Sequence, residues 1–378
     1  MRIEETWRPV PALAPPIEVA AAGAPSVPVG QPVQAAAFVS ATTGWVAIGG
    51  AGTSSLLRTV DGGATWTCQL GWPGVLLGPL RAFDADQAAG LLGLWPAHRN
   101  QINGRPVAPG ESFAQILAGT HNAGTSWTLG SPPDRQGAGA FLLSTRQAWL
   151  RLHVPGGSSG LVRTGDGGAT WERLAADDST PIVDFAFADA AHGMRVAQEG
   201  HRADLLDVTE DGGRSWTRLA LPLPPGLPAT AETWLFPVLR PNPGELLTLR
   251  TVARSRRNPG PTWQGVWAYA RDGDEWSGPH RLPTSPAAVD RDILVRAVDG
   301  RLWSASGHDV WVAGQVTGPW RRLGVPLPDE ESITDLFPMG DGVVWLTTGV
   351  GVGGGRLYRS ADDGRTWRPI AVEGGIDG

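Results

Sequence analysis

Lysine is missing from this 378-residue chain, so all 31 basic residues are arginine. Its absence excludes a Schiff base on the protein and any phosphate-binding loop that ends in Lys. Cysteine is almost missing: Cys68 stands alone, which rules out an internal disulfide and leaves the fold to packing. Lying two residues after Trp66, it is expected to be a small buried hydrophobe rather than a reactive thiol. No apolar run reaches the roughly 18 residues of a membrane-spanning helix. The N-terminus Met1-Arg-Ile-Glu-Glu-Thr-Trp7 lacks the basic-then-apolar order of an export signal, so no membrane insertion and no export are expected. The Ala/Pro-rich stretch from Pro11 to Pro32 reads as an extended arm, which leaves room for an upstream leader or anchor and then an extracytoplasmic location. A net charge of -6 offers no field for nucleic acid. The seven histidines show no metal-ligand spacing, so neither metal nor cofactor is expected.

What the chain has in quantity is Trp, Gly and Pro, at 18, 52 and 33 residues, the composition of many short strands joined by turns. The octapeptide Thr164-Gly-Asp-Gly-Gly-Ala-Thr-Trp171 recurs in close copies at Thr59 to Trp66, Thr120 to Trp127, Thr209 to Trp216 and Ser360 to Trp367. With the vestiges ending at Trp276 and Trp320, the Trp positions are separated by 61, 44, 45, 60, 44 and 47 residues. Seven units of about 50 residues match the period of four-stranded propeller blades. Each unit runs through a β-rich stretch, a Gly-marked turn, a second and a third stretch, the octapeptide, and a short fourth strand. The expected boundaries are an N-terminal strand and arm over 1–33 and one domain over 34–378. Its blades are placed at about 34–71, 79–130, 138–175, 181–220, 232–283, 290–324 and 331–372. Thr6-Trp-Arg-Pro-Val10 copies Thr366-Trp-Arg-Pro-Ile370, so it either closes the ring at the last blade or is the remnant of a lost one.

The pattern Ser/Thr-x-Asp-x-Gly-x-Ser/Thr-Trp, intact at Asp61, Asp166, Asp211 and Asp362 and with Asn122 in place of the Asp, resembles the Asp-box or BNR repeat. From about Gln34 onward the units are similar to those of photosystem II assembly-factor-like and sialidase-like propellers of the WD40/YVTN/BNR kind. The resemblance implies an all-β fold, a single seven-bladed β-propeller of four-stranded antiparallel blades with Asp-box turns. The box residues themselves suit a turn: Asp accepts backbone N–H bonds, Gly adopts angles closed to other residues, and the hydroxyls add further bonds. One carboxylate among glycines is too few for calcium.

Sialidases, which the Asp-box brings to mind, carry an arginine triad, a Tyr nucleophile with a Glu partner, and an early Arg-Ile/Leu-Pro. Here Arg281-Leu-Pro283 comes late and belongs to the repeated fourth strand, and Tyr269 and Tyr358 fall on third strands before a box. Asp184, Asp292 and Asp335 lie on or near first strands as candidate channel-lining acids, and a pair across a cleft would be needed for glycoside hydrolysis. Gly349-Val-Gly-Val-Gly-Gly354 and Gly156-Gly-Ser-Ser-Gly160 imitate nucleotide and hydrolase motifs, but both join strand to strand, with no helix to complete the site. In propellers of this kind the boxes lie on one face and the long loops on the other, which carries ligand contacts. Arg99, Arg105, Arg135, Arg254, Arg256 and Arg257 fall on those loops or beside them, with His98 and Asn100, and are the candidate ligand-binding residues, as forks for an acidic protein or a sugar carboxylate. The resulting expectation is a monomeric, non-catalytic binding or assembly scaffold with a protein or glycan partner. The alternative is a glycoside hydrolase of sialidase-like or xyloglucanase-like type.

Overall fold

A strand with apolar residues on both faces needs cover on each side, and the second strands of these units are of that kind. Ala88–Leu94 and Leu302–Ser306 are buried at every position, and Gly44–Gly50 and Val343–Val350 at all but the last. The computed structural model describes residues 9–11, 16–21, 31–50, 52–94, 101–102, 105–106, 114–132, 137–153, 159–174, 181–199, 202–222, 224–225, 246–253, 263–272, 275–283, 292–350 and 353–372. Among them the chain is an all-β propeller fold of antiparallel sheets, divided into two compact units, Met1–Ser179 with Val372–Gly378, and Thr180–Ala371.

The N-terminal unit contains three successive meanders. The first is Val33–Phe38, Gly44–Gly50, Thr53–Thr59 and Thr67–Trp72; the second is Gly74–Ala82, Ala88–Leu94, Ala114–Thr120 and Ser126–Gly130; the third is Gly137–Leu142, Ala148–His153, Ser159–Thr164 and Thr170–Arg173. The period-2 alternation of strands explains how one sheet serves two cores. Ala88, Leu92, Ile116 and Ala118 pack with Trp45, Leu56 and Leu70 of the first sheet, while the intervening Ala89, Leu91 and Leu117 pack with Leu150, Val162 and Trp171 of the third. Trp45, Trp127, Trp149 and Trp171 are fully buried. Each such ring stabilises its pair of sheets by about 4–6 kcal/mol at most, for about 150–250 Å² at about 25 cal/mol per Å². Cys68 is buried on its strand, and that burial pushes its thiol pKa up.

The second unit repeats the pattern with Ile182–Phe187, Gly193–Glu199, Arg202–Thr209 and Thr217–Leu219; then Leu246–Ala253, Trp263–Asp272 and Glu275–Arg281; then Asp292–Arg296, Leu302–Ser306, Asp309–Ala313 and Arg321–Gly324; then Ser332–Gly340, Val343–Val350, Gly353–Ser360 and Arg368–Ile370. The start of the expected fifth blade, 232–245, lies outside the described residues. Between the last two sheets, Ile293, Trp303 and Val310 pack with Leu336, Leu346 and Tyr358. Arg301 adds an ion pair to Asp363 at 2.7 Å.

Two N-terminal strands extend the outer edges of the N-terminal unit. Ile17–Ala20 pairs with Ser126–Gly130, and Pro9–Pro11 pairs with Thr170–Arg173, with Val10 opposite Trp171. This differs from one of the two expectations, that Thr6–Val10 closes the ring at the last blade. The fourth strands are near-copies of one another, so an added strand finds comparable backbone on any of them, and two prolines are tolerated only where one side stays unpaired. Trp7 itself lies outside the described residues.

Neighbouring sheets approach through glycine. A Cβ on Gly130, at the end of the second sheet's outer strand, would meet the Gly167 carbonyl oxygen at 2.3 Å and the Gly168 Cα at 2.9 Å, whereas one on Gly165 would meet nothing within 4 Å. Gly130→Ala is therefore expected to lower stability by about 1–3 kcal/mol, since backbone must move. Gly165→Ala should be neutral or raise stability by up to about 1 kcal/mol through the unfolded chain. Thermal melts of the two variants against the parent check the contrast.

Candidate functional site

The octapeptide folds identically in its four Asp copies. In the first, Thr59 Oγ1 donates to Asp61 Oδ1 at 2.8 Å and accepts from the Gly63 amide at 2.9 Å. The Thr65 amide donates to Asp61 Oδ1 at 2.9 Å and the Thr65 hydroxyl to Oδ2 at 2.6 Å. The same bonds recur at Asp166, Asp211 and Asp362. The Thr65 hydroxyl and amide hold the Asp61 carboxyl at a pKa of about 2, and the Thr366 hydroxyl and amide do the same for Asp362. For Asp166 partial burial opposes ionisation, but the Thr170 and Thr164 bonds outweigh it and the pKa is lowered. Gly62, Gly63, Gly167, Gly168, Gly212 and Gly213 all have positive φ; in the other two copies Ala123 and Asp363 take the first of these positions at φ 59° and Gly124 and Gly364 keep the second, so glycine is constant only there.

Asn122 changes the polarity of its turn. Its amide Nδ2 donates to Ser126 Oγ at 3.0 Å, so the Ser126 hydroxyl donates outward, to Glu18 Oε1 on the N-terminal strand at 2.6 Å.

A second recurrent turn joins first and second strands at the same end of each of the first four sheets. Ser40, Asp84, Ser144 and Asp189 each accept two backbone amides, such as Asp86 and Gln87 onto Asp84 Oδ1 at 2.8 and 2.7 Å. The octapeptide is fastened to it by one backbone bond: Gly62 to Thr42, Ala123 to Asp86, Gly167 to Arg146, Gly212 to Ala191 and Asp363 to Gly342. A turn is expected here from the sequence, but its side-chain cap and the arginine just before the octapeptide are not. Arg58, Arg163 and Arg359 lie across from Trp45, Trp149 and Trp345 and stack on them at 5.2, 5.3 and 5.3 Å. The signal, Arg directly before Ser/Thr-x-Asp and Trp after a turn glycine, was present in the sequence. In the fourth sheet Met194 and Val208 replace the pair, and Arg195 stacks on Trp216 at 4.7 Å while binding buried Asp207 at 2.9 Å.

At this end of the N-terminal unit, between the second and third sheets, a cavity of about 350 Å³ is lined by His121, Thr128, Thr145, Arg146, Asp166 and Gly167. His121 Nδ1 is 2.9 Å from Thr145 Oγ1. This cavity lies at the octapeptide end, which was expected to face away from any site.

Asp184 and Asp335 each follow a bulge in a first strand, at Val183 and Thr334, and accept the amide of the next residue at 2.8 and 2.9 Å. Asp292 begins Asp292–Arg296, and its side chain is not among those described. Of the loop arginines, Arg105 lies in the two-residue strand Arg105–Pro106, again without a described side chain, and Arg99, Arg135, Arg254, Arg256 and Arg257 lie outside the described residues, as do His98 and Asn100. Among the described residues no group of three His, Cys, Asp or Glu side chains is placed to hold a metal. No helix there is long and apolar enough to cross a membrane.

No family model and no curated protein sequence matches the chain. Among solved structures it is similar to YCF48 from Cyanidioschyzon merolae, 17% identical, with 97% of this chain and 90% of that one covered and a TM-score of 0.45. A structure of YCF48 bound to D1 peptide gives 17% identity, coverage of 95% and 87%, and a TM-score of 0.42. A prolyl endopeptidase, one of two analysed for structure and mechanism, gives 10% identity and a TM-score of 0.54 over 90% of this chain and 50% of that one. At this identity the likeness to the endopeptidase is one of fold, and the present chain spans half its length.

The lowered carboxyl values fix a pH window. With Asp61 and Asp362 at about 2 in the folded protein, against 3.8 ordinarily, their contribution is complete above about pH 4 and is lost as pH falls through 2. Acid titration followed by Trp fluorescence should show stability falling between those limits. The Asp61→Asn, Asp362→Asn double variant should be less stable at neutral pH and less sensitive to acid.

Proposed function

We propose that the chain is a non-catalytic binding or assembly scaffold, a single seven-bladed β-propeller of the Asp-box type that presents its insertion-bearing face to a protein or glycan partner. The observation that carries the reading is the placement of its long connections. The segments 95–113 and 254–262 both leave the C-terminal ends of second strands, Ala88–Leu94 and Leu246–Ala253, opposite the end where the octapeptide turns sit. Loops held on a rigid strand framework are the usual carriers of binding residues. The repeated carboxylates support the reading from the other side, since each gives both oxygens to its own turn, a structural use of Asp61, Asp166, Asp211 and Asp362. Seven successive meanders at the spacing of the Trp repeat support the blade count. In this reading the chain is a monomer, Asp184, Asp292 and Asp335 touch water in the central channel, and Arg99, Arg105, Arg135, Arg254, Arg256 and Arg257 offer planar forks to an acidic partner.

The test is charge reversal at Arg254, Arg256 and Arg257 together, assayed against ligands identified by pull-down and glycan array. Binding should be lost while the melting temperature holds; unchanged binding overturns the assignment of this face.

A further inference from the structure

Repeats make departures informative. The octapeptide position held by His121 is Val60, Gly165, Glu210 and Ala361 in the other four copies. The turn residue held by Arg146, defined by its backbone bond to the octapeptide, is Thr42, Asp86, Ala191 and Gly342 elsewhere. At the junction of the second and third sheets an imidazole and a guanidinium therefore line one cavity, at positions where the other copies carry small, apolar or acidic residues.

The groups in that cavity are held and ready. The Arg146 amide donates to Ser144 Oγ at 3.2 Å and its carbonyl accepts from the Gly167 amide at 2.9 Å, so the stem starts from fixed backbone. Its exposed guanidinium has no side-chain partner among the described residues. Thr145, itself 5% exposed, orients His121 through Nδ1, leaving Nε2 as the ring's second polar atom. When the Thr145 hydroxyl donates to Nδ1, Nε2 carries hydrogen and becomes a donor. Asp166, on the same third sheet as Arg146, adds an acceptor, its Oδ2 taking one hydrogen bond, from Thr170. Glu18 stands opposite Thr128 on the added strand.

We infer that this cavity binds a small carboxylate that also carries an N–H or O–H donor, the carboxylate on Arg146 and His121 and the donor on Asp166. A guanidinium fork matches a carboxylate in two bonds. An anion bound by Arg146 also meets the Asp166 charge beside it, and a donor next to the carboxylate satisfies that acceptor. The volume, about 350 Å³, is at the lower end of small-molecule sites and suits one amino-acid residue or one sugar ring. An N-acylated amino acid and a sugar acid share this chemistry. The site is distinct from the insertion-bearing face and stands or falls apart from it.

Isothermal titration calorimetry of the full chain with N-acetylalanine, glucuronate and inorganic phosphate tests the inference. At least one carboxylate should saturate and phosphate should bind more weakly than it, with the better carboxylate identifying the source. Arg146→Gln should weaken that binding by roughly tenfold or more, the loss of a charge-assisted bond, with an unchanged melting temperature. The His121 imidazole resonance, assigned by its absence in His121→Gln, should shift on titration, a readout that needs no folded variant at Arg146. Saturation by neither carboxylate, phosphate binding as tight as both, or wild-type affinity in Arg146→Gln overturns it. Charge reversal at Arg254, Arg256 and Arg257 should leave this binding intact, which separates its failure from that of the scaffold reading.

Discussion

Close approach of a turn glycine to the neighbouring sheet, at points where a Cβ would crowd what it meets, is the constraint on which the sheet stacking depends. The octapeptide turn of one sheet lies against the sheet before it, through Gly124 on the Gln69 side chain, Gly168 on the Gly130 backbone, and Gly364 on the Leu323 and Trp303 side chains. The turn must be rigid to present glycine there, and rigidity comes from the Ser/Thr hydroxyl that both donates to the Asp and accepts a glycine amide. The buried Trp then fills the wedge that opens beside the contact, as Trp171 does while donating through Nε1 to the Ser131 carbonyl at 3.0 Å. Gln69 knits the first junction further, accepting from Trp45 Nε1 at 3.0 Å and donating to the Ala123 carbonyl at 2.7 Å.

The absence of lysine acquires a physical sense in this framework. An arginine over each second-strand Trp covers an aromatic face with a planar cation, a stacking that an ammonium on a flexible stem makes less well. Arg58, Arg163 and Arg359 do this beside the octapeptide, and Arg301 does it over Trp303 at 5.6 Å while pairing with Asp299 and Asp363. Arginine thus extends the apolar packing outward to the rim of the sheets.

Strand positions were legible in the sequence because the repeat supplies them several times over: a weak strand signal in one copy is read from its neighbours. Boundaries shifted where a strand ran into a tight connection, as Gly74–Ala82 begins before the expected blade start at about 79. The N-terminal strand was recognisable as a strand but its partner was not, since near-identical fourth strands give the sequence no way to choose. The Arg–Trp stacks were overlooked because their partners lie 13 or 14 residues apart on adjacent strands, where only register brings them together. The cavity was out of reach for a further reason. His121 and Arg146 belong to different sheets, and a reading that treats each copy as equivalent discards the deviations that build it. The arginines of the long insertions rest on loop sequence alone.

The exchange of Asp for Asn at position 122 is a change of a single functional group, yet it acts as an address. In the Asp copies the last hydroxyl of the turn points inward to a carboxylate and has no proton to offer outside. In the Asn copy the amide supplies that proton, and Ser126 turns its own toward Glu18. An added strand that carries a carboxylate is thereby matched to the second sheet rather than to the others of the N-terminal unit. A molecule made of near-identical edges thus distinguishes one of them by the direction of a single hydrogen bond.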